Sequence, residues 1–197
     1  MSEFITFKKW LNEQKEQKKK EPEYGCVMMD AKIDDWEENH LNGIDEKDIH
    51  VKPYDDSYGL EDNPHITILY GIHEDEIDPE VINSVIENNL YPIEVQIDEI
   101  DIFKNDDYDV VKYNVPVIKD LKKFRKIFKK FPNTQKFPDY NPHITIAYVK
   151  SGKGEKYKRK LTEPFIVRFN KGVYSWHDEE DESLKRKEIN LEDEEKV

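Results

Sequence analysis

The chain has one cysteine, Cys26, among its 197 residues. A lone cysteine excludes an internal disulfide. Its place inside the apolar stretch 24–33 marks a small buried side chain in a reducing compartment. It is not a candidate nucleophile, because no neighbour in sequence stabilises a thiolate. No run of about 18 apolar residues occurs, which excludes a membrane-spanning helix. The opening MSEFITFKKW lacks the apolar core and small-residue cleavage site of a secretory signal, so a cytoplasmic setting is expected. Net positive charge is also lacking: the formal charge is −13. A protein that grips long nucleic acid draws affinity from phosphate neutralisation, so no long nucleic acid is expected as partner. Apolar residues make up 36% and charged residues 38%; the apolar ones cluster, so a packed core is expected in the middle of the chain.

What is present is a phrase written twice. NPHITILYG begins at Asn63 and NPHITIAYV at Asn141, with seven of nine positions identical. The surroundings read as alternating elements. An amphipathic helix over 2–20 carries Phe4, Phe7, Trp10 and Leu11 as one stripe, closed by Pro22. A buried strand follows at 24–33, then an irregular acidic segment to residue 62. After the first phrase, Asp78 and Pro79 start a helix by capping. Residues 93–104 alternate apolar and polar, and 108–117 return as a second strand, which predicts a hairpin. Residues 118–131 form an amphipathic helix with Leu121, Phe124, Ile127, Phe128 and Phe131 on one face. A last strand is predicted over 164–176. The two halves have similar content, which implies two related lobes. The domain is expected over 23–176, after an N-terminal helix (1–22). Residues 177–197 hold ten acids and four bases and are expected to be a disordered tail.

Read as strands, the phrases place His65 with Thr67, and His143 with Thr145, on one face, while the isoleucines take the other. If the lobes oppose these faces, two imidazoles and two hydroxyls line a common cleft. That set serves phosphodiester cleavage: one imidazole as general base, the other as general acid, and the threonines as donors to phosphate oxygens. The remaining histidines, His40, His50, His73 and His177, lack ligand spacing. Neither a metal site nor another cofactor is therefore expected.

The doubled His-x-Thr-x resembles the signature of the two-histidine (2H) phosphoesterase superfamily, which includes the 2′-5′ RNA ligase-like proteins. The resemblance covers roughly 24–176. It implies an α+β, bilobal fold, with two antiparallel sheets and outer helices around a central cleft. It also implies that His65 and His143 form a metal-independent acid–base pair and that Thr67 and Thr145 bind phosphate. The phrases PHITILYG and FPDYNPHITIAYVKSGKG are most similar to phage-encoded members, some of them anti-CBASS proteins that degrade the cyclic oligonucleotides of bacterial immunity. The implied partner is a small cyclic oligonucleotide or short RNA, with 3′-5′ bonds cleaved. Two alternatives stand: an RNA 2′,3′-cyclic or 2′-5′ phosphodiesterase, and a nucleotide-binding module without turnover.

Bases need flat surfaces to stack on. The candidates are Tyr24, Tyr140 and Trp176, with Trp36, Tyr58 and Tyr157 behind them; Lys150 is the candidate phosphate contact. Lys153 and Lys156 read as part of a solvated turn, and the facing of Lys112 and Arg168 stays open. Strict alternation sets Tyr70 and Tyr148 aside, on the isoleucine side of their strands.

Overall fold

The computed structural model describes residues 24–53, 55, 57–135, 139–178 and 183–192. The helix expected at 2–20 lies outside these residues. The described chain runs β1 (Tyr24–Lys32), β2 (His65–His73), α1 (Pro79–Asn89), β3 (Ile93–Lys104), β4 (Tyr108–Asn114), α2 (Lys119–Phe128), β5 (His143–Lys150), β6 (Arg159–His177) and β7 (Leu184–Asn190). No described helix is long and apolar enough to cross a membrane.

The strands form one antiparallel sheet in the order β2-β1-β6-β3-β4-β5, with β7 added to β6. The fold is α+β, as expected, but the two expected sheets are continuous. The link is β6, which is 19 residues long. Its first half pairs with β3 and its second half with β1 and β7. The hydrophobic run PFIVRF was legible as a strand. The preceding Arg159–Glu163 was not, because its side chains are mostly exposed and charged. The sheet curls so that its two edge strands, β2 and β5, approach each other. These are the strands of the repeated phrase.

Each edge strand is covered by a loop, as exposed edges require. Residues 132–134 run along β2: Thr134 donates from its backbone to Gly71 and His73 donates to Pro132. Residues 49–50 and 59–61 run along β5: His50 donates to Tyr148, Tyr148 to Gly59 and Glu61 to Ile146. Gly71 has φ +100°, and a Cβ there would collide with the Thr134 carbonyl. Only glycine permits both that backbone and that close approach.

Helix α1 starts as its sequence implies. The Asp78 carboxylate accepts from the Glu80 backbone at 2.8 Å, and Pro79 occupies the first turn. It buries Ile82 and Ile86 against β6, where Gly172 leaves room for the Ile86 methyl. Helix α2 buries Leu121, Phe124 and Phe128 and packs on β2.

The structure corrects the expectation of a disordered tail over 177–197. Residues 184–190 form β7, paired with Lys171–His177 of β6. Ladder hydrogen bonds and cross-strand ion pairs hold this charged strand. Arg186 reaches Asp30 at 2.6 Å, Lys187 reaches Glu80 at 2.9 Å, and Glu188 reaches Lys171 at 2.8 Å. Ile189 and Leu191 pack against the core. The ordered domain therefore extends past residue 176.

Candidate active site

The two phrases deliver their side chains through a shared irregularity. In β2, Leu69 faces Val27 but Thr67 faces Met28, so Ile68 is extra. In β5, Ala147 faces Val111 but Thr145 faces Lys112, so Ile146 is extra. Both repeats bulge one residue after the threonine. Two consecutive residues then face the core, and both pairs are buried: Ile68 with Leu69, Ile146 with Ala147. Alternation restarts on the other foot. Tyr70 thereby joins the face of His65 and Thr67, and Tyr148 joins that of His143 and Thr145. This overturns the sequence expectation, which kept both tyrosines on the isoleucine side.

Between the edge strands lies a cavity of about 540 Å³, within the usual range for small-ligand sites. Thr67, His143 and Thr145 line it, together with Tyr70, Phe103, Tyr108, Tyr140, Tyr148, Lys104 and Arg125. His65 is not itself among the lining residues. Its ring is near enough that its charge disfavours a charge on His143.

The imidazoles are held alike. His65 Nδ1 lies 2.8 Å from the Asn63 carbonyl, and His143 Nδ1 lies 2.9 Å from the Asn141 carbonyl. A carbonyl only accepts, so in each neutral ring Nδ1 carries the proton and Nε2 the lone pair. The asparagine two residues before each histidine thus fixes the tautomer through its backbone. Burial lowers the pKa of His143 below its ordinary value of 6.5; the Asn141 bond opposes this, and the charges of Lys112 and His65 add to it.

The inner face of the second lobe is polar. Lys112 is 3% exposed. It donates to Asn114 Oδ1 and lies 3.8 Å from Asp101. Asn114 donates to Glu99 at 2.8 Å. The ring of Phe103 is wedged between the Lys112 ammonium, 4.3 Å from its centroid, and the His143 ring, 4.8 Å away at 90°. Burial lowers the pKa of Lys112, while Asp101 and Glu99 pull it back up. Lys158 holds Asp101 down at about 2.

Helix α2 reaches the cavity from the first lobe through Arg125. Its guanidinium donates to the Ile68 carbonyl at 2.9 Å and to Gln135 at 2.7 Å, and it stacks over Tyr140 at 4.5 Å. Tyr140 donates to the Thr67 carbonyl at 3.3 Å. These contacts fix the bulged strand.

Of the four rim candidates, only Tyr140 lines the cavity. Tyr24 sits beside Tyr70 and His73, with ring centroids 6.0 Å from each. Trp176 stacks on Tyr174 at 5.2 Å. Lys150 donates to the Lys47 carbonyl at 2.6 Å. Trp36 is a core side chain stacked on His40. Tyr157 is buried and donates to Asp48. Tyr58 packs edge-on to Tyr108 and Tyr148, behind the lining. Arg168 pairs with Glu94. Burial pushes the Cys26 thiol up to about 12, so it carries almost no thiolate at neutral pH. Among the described residues, no three His, Cys, Asp or Glu side chains form a group able to hold a metal ion.

Residues 36–171 match the family described as the 2′-5′ RNA ligase superfamily. The chain belongs to that superfamily. Its fold is similar to crystal structures of Escherichia coli LigT. The complex with 3′-AMP aligns at a TM-score of 0.53 with 14% identity, covering 87% of this chain and 99% of that one. The LigT complex with ATP aligns at 0.48 and 13%, covering 86% and 98%. A structure described as a phosphoesterase aligns at 0.49 and 13%, covering 86% and 99%. At 14% identity the likeness to the 3′-AMP complex shows the fold alone. No curated protein matches the sequence.

Proposed function

We propose that this superfamily member is a metal-independent phosphodiesterase in which His65 and His143 act on one phosphodiester. The observation that supports this most is the matched tether of the two rings. Each presents the same nitrogen, from equivalent positions of facing strands. Asymmetry between them assigns the roles. His143 is kept neutral by burial and by Lys112, so it takes the base role. His65 takes the acid role. Thr67 and Thr145 donate to the non-bridging oxygens.

In the first step His143 Nε2 removes the proton of a ribose 2′-hydroxyl. The 2′-oxygen bonds to phosphorus, the bond from phosphorus to the 5′-oxygen breaks, and His65 protonates that oxygen. The products are a 2′,3′-cyclic phosphate and a 5′-hydroxyl. The preferred substrate is a small 3′-5′-linked cyclic oligonucleotide, as an anti-CBASS role would require. Tyr70, Phe103, Tyr108 and Tyr148 offer its bases stacking surfaces worth about 1–3 kcal/mol each. The end of an RNA strand is the second reading, supported by a lysine-rich helix beside the cavity.

Incubation with cyclic dinucleotides in EDTA tests the reading. Cleavage is expected, and the 2′-deoxy analogue is expected to resist it. Loss of turnover in EDTA would contradict the metal-free chemistry, and cleavage of the deoxy analogue would contradict attack by the 2′-oxygen. Binding without turnover would favour the binding-module alternative.

A further inference from the structure

The acidic average of the chain hides one strongly basic surface. Residues 118–131 contain six lysines and one arginine against a single acid. In the structure this is α2 and the turn that ends it. Its apolar face is buried, and Lys119, Lys122, Lys123, Lys126, Lys129 and Lys130 are exposed.

Most lysines elsewhere have anionic partners: Lys47 with Asp45, Lys104 with Glu155, Lys158 with Asp101, Lys171 with Glu188. On α2, Lys123 lies over the Tyr91 ring. Lys119, Lys122, Lys126, Lys129 and Lys130 have no ion-pair partner among the described residues. Such an arrangement costs the helix stability. Lys119 with Lys123 and Lys122 with Lys126 are like charges at i,i+4 of the helix, each unfavourable by a few tenths of a kcal/mol. The helix dipole favours cations at the C-terminal end but opposes Lys119, Lys122 and Lys123 near the start. Local structure thus gives no reason for Lys119, Lys122, Lys126, Lys129 and Lys130. A polyanion in contact with it does.

The face is continuous with the cavity. Arg125 lies on the same helix, three residues after Lys122 and four before Lys129, and its guanidinium lines the cavity wall. Cations at this spacing share one stripe, which leads from the wall outward over a helix about 15 Å long.

We infer that the lysine face of α2 is a docking surface for the phosphate backbone of a single-stranded RNA whose end enters the cavity between β2 and β5. The surface itself requires only a polyphosphate. The choice of RNA rests on the proposed 2′-hydroxyl chemistry, and it extends the substrate class from small cyclic molecules to strands.

The test measures binding of a fluorescent single-stranded RNA of about a dozen nucleotides by anisotropy. The full chain carries His65→Ala and His143→Ala so that nothing is cleaved. With three or four lysines engaged, log affinity falls with log salt at a slope of about −2 to −3. Adding Lys122→Glu, Lys126→Glu and Lys130→Glu is expected to weaken binding at least about tenfold and flatten the slope by about two. The milder glutamine substitutions at the same positions are expected to act in the same direction. Lys47→Glu, Lys171→Glu and Lys185→Glu, an equal change of charge elsewhere, are expected to leave affinity within about twofold, the scatter of surface substitutions. In the otherwise wild-type chain, the α2 changes are expected to leave cyclic-dinucleotide turnover intact. Unchanged RNA affinity in the α2 variants overturns the proposal. So does equal binding to dextran sulfate or to phosphatidylserine vesicles, which would mark an unselective or membrane-facing surface. RNA binding through α2 in a chain that turns over no nucleotide would defeat the catalytic reading and leave the docking surface standing.

Discussion

His143 and His65 stand at equivalent positions of a repeated phrase, yet their surroundings differ. His143 has Phe103 against its ring and the Lys112 ammonium beyond it. With its pKa below 6.5, the acid limb of kcat/KM is expected to fall below the ordinary imidazole value, because protonation of the base ends catalysis. Lys112→Met removes a positive charge and keeps the packing volume. It is expected to move that limb, and the NMR titration of the His143 ring, to higher pH; an unmoved titration would mean that Lys112 only packs. The same shift carries a stability consequence. The folded state binds this proton less readily than the unfolded chain, so stability is full above 6.5 and declines as pH falls toward the folded pKa. The places of Thr67, His143 and Thr145 at the cavity were legible because the phrase occurs twice and its alternation puts them on one face. Arg125 and Phe103 were not, because nothing in a sequence shows which strand or helix side chain lies across a cavity; the facing of Lys112 stayed open for the same reason.

Strands β2 and β5 show where reading by period succeeds and where it stops. Alternation put His and Thr on one face in both phrases. It failed two residues later, since a bulge leaves no mark in the residues Ile-Thr-Ile. The helices and the hairpin of β3 and β4 were legible from caps and periodicity. The charged strand β7 was not, because its order comes from partners far along the chain: Asp30, Glu80 and Lys171. Truncation after His177 is expected to lower the denaturation midpoint by exposing β6 and breaking these contacts. An unchanged midpoint would mean that β7 adds nothing to the fold. Gly71 terminates the regular part of β2 and meets the 132–134 loop. Gly71→Ala forces a side chain into a left-handed backbone and onto the Thr134 carbonyl. It is expected to cost about 2 kcal/mol or more in denaturant unfolding, and a loss within error would show that the loop yields freely.

Across the whole molecule, β6 joins the two lobes and so fixes the distance between the repeats. The phrases lie 78 residues apart in the chain, and the curl of one sheet brings their strands together. The sequence implied related lobes and a shared cleft, while the continuous sheet and the exposure of the basic face of α2 beside the cavity emerged only from the assembled chain. Net charge alone argued against a long nucleic acid; the proposed contact with a strand rests on how that charge is distributed. The central claim remains that two imidazoles serve one phosphorus atom. A double-mutant cycle on turnover tests it most directly: kcat for the wild type, His65→Ala, His143→Ala and the double variant on one cyclic dinucleotide. If the pair acts as a unit, each single change is expected to lower kcat by about a thousandfold, and the double change by little more than either. Additive losses, or a silent substitution at either histidine, would contradict the account.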